Sequence, residues 1–238
     1  MKKDGGSTMS AISDRLAERL ALVPVAKTAI TTVGGAGMRL VVQLGDVSVG
    51  SVTRSGLLAS VATERDLAIV GGIDGVLGQD FLATYNFTVD YKRRVLVWDD
   101  LATTGGVADA PGSVHVPLIP RDGRFIIRLP QSAQGEPLEM VPDTGASTFV
   151  LFANEGGEGL PRRWSDATVT ISGLTGSRAA RYTSLRELKV GTLTFRNIPV
   201  VVVHRDEGGH EGADGLFPLH GFSRVSFRLS EGYLALER

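Results

Sequence analysis

The stretch Val141-Pro142-Asp143-Thr144-Gly145-Ala146-Ser147 decides how the rest of this 238-residue sequence is interpreted. An apolar segment precedes the polar residues, and the apolar run Phe149-Val150-Leu151 follows them. This pattern predicts two strands joined by a short loop. Asp, Thr and Gly also suit an ordinary solvated turn, so the tripeptide alone leaves both interpretations open.

The composition describes a globular, mostly-β chain. Apolar residues make up 42% and charged residues 21%, which argues against disorder. The 30 glycines, together with many Val, Leu and Thr residues, favour short strands joined by tight turns. We therefore expect an all-β fold with a few short helices.

Charge and cysteine content exclude several classes of function. With a net charge of −1, the chain offers no basic surface for phosphates, so nucleic acid is not an expected partner. No apolar run approaches 18 residues, so we expect no membrane span. The absence of cysteine excludes disulfides, thiolate metal sites and a cysteine nucleophile, and it leaves the localisation open.

The two halves of the chain resemble each other at a nearly constant offset. Four matches occur in the same order: Asp4–Thr8 with Asp143–Ser147, Val47–Val52 with Leu188–Leu193, Asp74–Leu77 with Asp214–Phe217, and Phe87 with Phe227. The offsets are 139, 141, 140 and 140 residues. Such agreement predicts a duplicated unit, and the period is too long for a solenoid.

The repeat predicts two lobes related by a pseudo-two-fold axis. We assign residues 1–100 to lobe 1, the glycine-rich residues 101–112 to a linker, and residues 113–238 to lobe 2. In lobe 2 the residues between the linker and Asp143 suffice for two or three strands, whereas three residues precede Asp4. We therefore expect lobe 1 to be incomplete at its N-terminus, and the sequence leaves open whether the true start lies upstream.

These features together resemble the aspartic protease family, in both its retropepsin-like and its pepsin-like branches. The family's Asp-Thr/Ser-Gly loop matches Asp143-Thr144-Gly145, and its second, glycine-bearing apolar signature resembles Ile73–Gly78 and Ala213–Pro218. The closest resemblance is to bacterial retropepsin-like proteins with two lobes in one chain. It implies two β-barrel lobes with a cleft between them, an extended peptide or protein as substrate, and export from the bacterial cytoplasm.

The resemblance also implies a mechanism and a set of site residues. Two carboxylates held close together share one proton, so that one activates a water while the other protonates the peptide carbonyl. Such a reaction needs neither metal nor cofactor. The residues assigned by matching the motif are Asp143 and Asp4 as the catalytic pair, Thr144 and Gly145 as support for the first loop, and Gly5 and Gly6 as support for the second. Gly5 stands where the family has Thr or Ser.

Two other functions remain open at this point. The chain could be an inactive, protease-like module that binds an extended peptide without cutting it. Alternatively, two copies could pair as a homodimer, with a dyad formed by the two Asp143 loops.

Other candidate residues receive structural interpretations. Asp74 and Asp214 precede glycines in turns, so we expect them to be structural. The segment His204–Glu211 contains metal-ligand residue types, but its glycines and mixed charges indicate a solvated loop. The segments Gly34–Gly37 and Gly173–Gly176 are expected to be hairpin tips, which in the family cover the substrate.

Overall fold

Strands form most of the chain, as the composition predicts. The structure is a computed structural model that describes residues 2–3, 7–68, 72–99, 108–130, 136–153, 164–205 and 212–238, with the backbone alone for residues 2–3, 68 and 164–166. The helices in the described residues are short: α1 (Asp14–Arg19), α2 (Glu64–Ala68) and α3 (Gln79–Leu82). None of them is long and apolar enough to cross a membrane.

The strands follow one another in two similar series. The first series comprises β1 (Lys2–Lys3), β2 (Ser10–Ser13), β3 (Pro24–Thr32), β4 (Gly35–Gln43), β5 (Val47–Val49), β6 (Val52–Arg54), β7 (Leu58–Ala62), β8 (Gly75–Leu77), β9 (Phe87–Asp90) and β10 (Val95–Trp98). The second comprises β11 (Val114–Pro117), β12 (Ile119–Arg121), β13 (Arg124–Leu129), β14 (Leu138–Asp143), β15 (Phe149–Ala153), β16 (Trp164–Gly173), β17 (Gly176–Val190), β18 (Leu193–His204), β19 (Gly215–Pro218), β20 (Arg224–Arg228) and β21 (Tyr233–Glu237).

Two sheets share one topology, which confirms the all-β fold with an internal repeat. The six-stranded sheet has the order β1-β8-β2-β7-β4-β3. The eight-stranded sheet contains the same order as β14-β19-β15-β18-β17-β16, preceded by β12 and β13 at the other edge. The parallel and antiparallel pairings also agree strand by strand.

A glycine allows two strands to cross closely in each of these sheets. A Cβ atom on Gly215 would lie 1.9 Å from the carbonyl oxygen of Val150, and one on Gly75 would lie 2.5 Å from that of Ala11. Only a residue without a side chain fits so close to another backbone. The Asp-Gly pairs of the sequence repeat therefore mark this crossing.

A third sheet joins the two halves. It has the order β10-β9-β20-β21-β11, and β9 pairs with β20 so that Phe87 lies opposite Phe227. The rings of these two repeat-related residues stack with their centroids 4.5 Å apart. Since equivalent residues pair with each other, the pseudo-two-fold axis passes between them.

The largest buried apolar cluster contains residues of all three sheets, so the halves share one core. Its members include Ile12, Phe87, Leu188 and Phe227. Residues 101–107 of the predicted linker lie outside the described residues, and residues 108–113 lead into β11. The predicted lobe boundaries stay a prediction.

Candidate active site

Strand β14 carries Asp143 as its last residue into the interior of the protein. It pairs with β13 on one side and runs parallel to β19 on the other, where Asp143 lies opposite Pro218. The amide of Leu219 donates a hydrogen bond of 3.1 Å to the Asp143 carbonyl oxygen. Only 5% of the Asp143 residue surface is exposed. The backbone around this carboxylate is therefore held by strands on both sides.

The loop after β14 turns around the Asp143 side chain. The Gly145 amide donates to Asp143 Oδ1 at 2.6 Å, which is the local aspartate turn that the residue types favour. The neighbouring Ala146 carbonyl oxygen lies 3.2 Å from Nδ1 of His220. These contacts fix the direction in which the carboxylate points.

A cleft of about 1070 Å³ opens beside this loop. Asp143, Gly145 and Ser147 line it from the eight-stranded sheet, and Ser60 and Ala62 line it from the six-stranded sheet. The hairpins β3–β4 and β16–β17 also contribute to its wall. The cleft thus lies between the two repeat-related sheets, with the buried carboxylate at its surface.

The tips of the two hairpins meet across the cleft. The hydroxyl oxygens of Thr32 and Thr175 lie 2.7 Å apart, and Thr175 Oγ1 donates to the Gly35 carbonyl oxygen at 2.6 Å. Arg178 Nε donates to the Val33 carbonyl oxygen at 3.0 Å. A Cβ on Gly34 would lie 2.1 Å from the Gly176 carbonyl oxygen, so the tips touch through bare backbone. Both predicted hairpins therefore exist, and they close the cleft together.

The charged residues lining the cleft within the described chain are Arg39, Asp122, Arg124 and Asp143. Arg39 is neutralised by Asp66, whose carboxylate oxygen lies 2.9 Å from the guanidinium, and Arg39 also donates to the Leu174 carbonyl oxygen at 3.2 Å. Arg124 has no such partner among the residues that the structure describes. Sequence reasoning missed both arginines, because neither belongs to a motif.

Tyr91 is a further residue that the sequence did not indicate. Its hydroxyl is buried and has no hydrogen-bond partner in the described part of the chain. Burial, and then the nearby Asp143 carboxylate, raises the pKa of Tyr91. The phenol therefore stays neutral beside the carboxylate, and no sequence motif links residues 52 positions apart.

The structure describes only part of the predicted site. It places Asp143, Thr144 and Gly145 at the cleft loop, whereas Asp4, Gly5 and Gly6 lie outside the described residues. The residues that flank this gap are informative. Lys2 and Lys3 of β1 pair with Val76 and Leu77, as Val141 and Pro142 of β14 pair with Leu216 and Phe217.

Two other acidic residues of the repeat have structural surroundings. Asp74 receives a hydrogen bond of 2.8 Å from Arg15, and this contact lowers the pKa of Asp74. Asp214 Oδ2 accepts from the Glu139 amide at 2.9 Å. Neither residue lines the cleft.

The described residues contain no group of three or more His, Asp or Glu side chains that could hold a metal ion. Residues 206–211 of the predicted solvated loop lie outside the described part of the chain.

The chain resembles a known protein family over much of its length. Two stretches, residues 1–81 and 129–217, match the family described as "aspartyl protease", and together they make up well over half of the chain. The chain therefore belongs to the aspartyl protease family. Among curated proteins, none matches it in sequence at a significant level. One solved structure with similarity to it is a retropepsin-like aspartic protease from Rickettsia conorii, with 20% identity and a TM-score of 0.35, covering 54% of this chain and 92% of that chain.

Proposed function

We propose that this chain is an aspartic endopeptidase that hydrolyses extended peptides with a water activated by Asp143 and Asp4. The observation that carries the proposal is the buried Asp143 carboxylate at the edge of a cleft that two meeting hairpins close. A carboxylate in such a place is suited to proton transfer on a substrate held in the cleft.

The repeat supports Asp4 as the second carboxylate. Lys2 and Lys3 pair in the register of Val141 and Pro142, and in sequence Asp4 follows Lys3 as Asp143 follows Pro142. Two carboxylates near a pseudo-two-fold axis would share one proton, since both cannot ionise at short distance. The ionised member takes a proton from water, whose oxygen attacks the peptide carbonyl, and the protonated member donates to the carbonyl oxygen. In this scheme Thr144, Gly145, Gly5 and Gly6 hold the two loops in place.

The two hairpins would define the shape of the substrate. A peptide enters the cleft beneath the joined tips only as an extended chain, because strand edges border the space on both sides. The contacts between the tips, Thr175 with Gly35 above all, must open for a long polypeptide to enter.

Cleavage of an unstructured polypeptide between about pH 3 and 7, the range in which paired carboxylates titrate, tests the proposal. We expect Asp143→Asn to lower the rate by at least about a hundredfold, the contribution typical of an acid–base group. Asp46→Asn is the control, because Asp46 is exposed and bonds only locally, to Ser55. Cleavage that survives Asp143→Asn would refute the mechanism.

Two further arms separate the alternatives. If Asp4→Asn leaves cleavage intact and the specific activity rises with protein concentration, the dyad forms from two Asp143 loops in a homodimer. If the chain binds peptide at every pH without cutting it, the chain is a binding module of the protease fold.

A further inference from the structure

Arg124 differs from Arg39, the other arginine of the cleft, because it has no ion-pair partner in the described part of the chain. It begins β13, directly after the two-residue turn Asp122-Gly123, and its side chain lines the cleft. The Nε atom is buried and has no hydrogen-bond partner, and the guanidinium makes no ion pair with any residue that the structure describes. Arg39, the other arginine of the cleft wall, has Asp66 as its partner.

No carboxylate of the described residues forms an ion pair with Arg124. Glu139 receives hydrogen bonds from both Arg121 and Arg128, and its carboxylate is therefore already paired with two other arginines. Asp122 is near enough to favour the charged form of Arg124, but it does not form an ion pair with it. Burial lowers the pKa of Arg124, yet a guanidinium remains charged in proteins. The cleft therefore contains a positive charge that is partly removed from water and forms no ion pair with a described residue.

An unpaired, partly buried guanidinium is costly, and a carboxylate is the group that matches its planar donors. Apart from Arg39, which Asp66 neutralises, the other described residues that line the cleft carry no positive charge. Most of them are neutral and small; Thr28, Ala29, Ser60, Ala62, Thr170 and Ser172 are examples. A ligand with an acidic group would thus gain an interaction at Arg124 that a neutral ligand lacks.

We propose that Arg124 binds a carboxylate of the substrate and makes the protein selective for peptides with an acidic group at one position along the cleft. The inference deepens the proposed function and rests on it in one respect, namely that a peptide occupies this cleft. The carboxylate comes either from an Asp or Glu side chain or from the C-terminus of a peptide. Arg124 acts here as a specificity-determining residue and takes no part in proton transfer.

The test compares matched peptides at pH 6, where a side-chain carboxyl group is ionised. One set is amidated at the C-terminus and carries a single Glu, or Gln in its place, at each position within four residues of the cleaved bond. A second set has neutral side chains and a free or an amidated C-terminus. We expect one position, or the free C-terminus, to raise kcat/KM by about tenfold to a hundredfold, the range for hydrogen bonds to charged groups. The set in which the preference occurs identifies the source of the carboxylate.

Variants at Arg124 decide whether this residue causes the preference. Arg124→Gln should abolish it, and Arg124→Glu should transfer it to the peptide that carries Lys at the same position. Arg128→Gln is the matched control, because Arg128 lies on the same strand, pairs with Glu139 and does not line the cleft. It should keep the preference of the wild type. A preference that is absent from the wild type, or that persists in Arg124→Gln, overturns the proposal.

A binding arm separates this proposal from the proposed catalysis. The same peptides, labelled with a fluorophore, are titrated with the Asp143→Asn chain and with the Asp143→Asn, Arg124→Gln chain, and their anisotropy is measured. If the wild type cleaves no peptide but the acidic peptides bind more tightly in an Arg124-dependent way, the proposed specificity is supported and the proposed peptidase function is refuted. If peptides are cleaved at the same rate whatever their charge, the proposed peptidase function is supported and the proposed specificity is refuted. Failure of the chain to bind either kind of peptide overturns both.

Discussion

Replacing Gly215 by alanine should destabilise the protein more than any other glycine substitution at the strand crossings. The added Cβ would lie 1.9 Å from the Val150 carbonyl oxygen, whereas real Cβ atoms essentially never approach within 3.0 Å. The two strands would have to separate by more than 1 Å, which disrupts the pairing of Val150 with Leu216 in β15 and β19. Overpacking costs about 1–3 kcal/mol and each lost hydrogen bond costs about 1 kcal/mol. We therefore expect a loss of about 3–5 kcal/mol in the free energy of unfolding.

Urea titration followed by tryptophan fluorescence measures this loss. Gly45→Ala is the control, since a Cβ at Gly45 meets nothing within 4 Å, and its effect should stay within about 0.5 kcal/mol. Gly75→Ala should cost less stability than Gly215→Ala and more than Gly45→Ala. Its Cβ would lie 2.5 Å from the Ala11 carbonyl oxygen, which is a less severe overlap than the one at Gly215. Gly215 also pairs with Met140 on the strand that ends at Asp143, so that peptide cleavage should fall together with stability. A Gly215→Ala variant within about 1 kcal/mol of the wild type would refute the view that this crossing requires bare backbone.

Two further predictions concern the strand before the site and the hairpins above it. Hydrogen bonds from Arg121, and then from Arg128, lower the pKa of Glu139 in the folded protein below its usual value. The ionised Glu139 therefore stabilises the fold at any pH above its pKa in the unfolded chain. This contribution is lost as the pH falls through its pKa in the folded protein. In urea titrations from pH 7 to 3, the free energy of unfolding should decline less for Glu139→Gln than for the wild type. An equal decline would show that Glu139 does not contribute to the acid sensitivity of the fold. Thr175→Val removes the hydroxyl that donates to the Gly35 carbonyl oxygen and also bonds to the Thr32 hydroxyl. The amides at the hairpin tips should then exchange about thirtyfold faster, as expected for the loss of two hydrogen bonds of about 1 kcal/mol each. Equal exchange rates in mass spectrometry would show that the tips are held together by other contacts.

Local chemistry explains why parts of the site were predictable from the sequence. The residues of the Asp143 loop bond to near neighbours, as in the contact from the Gly145 amide to Asp143 Oδ1, and such contacts depend on residue type and spacing alone. The repeat was also visible, because duplicated strands keep their glycines where backbones cross. Gly75 and Gly215 occupy matching positions in the two sheets for this reason.

Contacts between distant residues could not be predicted in this way. Thr32 and Thr175 are 143 positions apart, and neither belongs to a motif, yet their hydroxyl groups touch across the cleft. The pairing of Arg39 with Asp66 is equally invisible in the sequence, and so is the lack of an ion-pair partner for Arg124 within the described ranges. Which charge is neutralised depends on how two sheets are placed against each other.

The sequence by itself determined the all-β class, the duplication and the loop that carries Asp143, because each of these is encoded in short segments and in their spacing. Tertiary structure alone decided that the tips of the two hairpins touch each other, that Tyr91 and Asp143 are neighbours, and that Arg124 lines the cleft without an ion-pair partner among the described residues. The physical reason is that burial and electrostatic compensation are properties of the packed chain. A side chain acquires or loses its partners only when segments far apart in sequence come together.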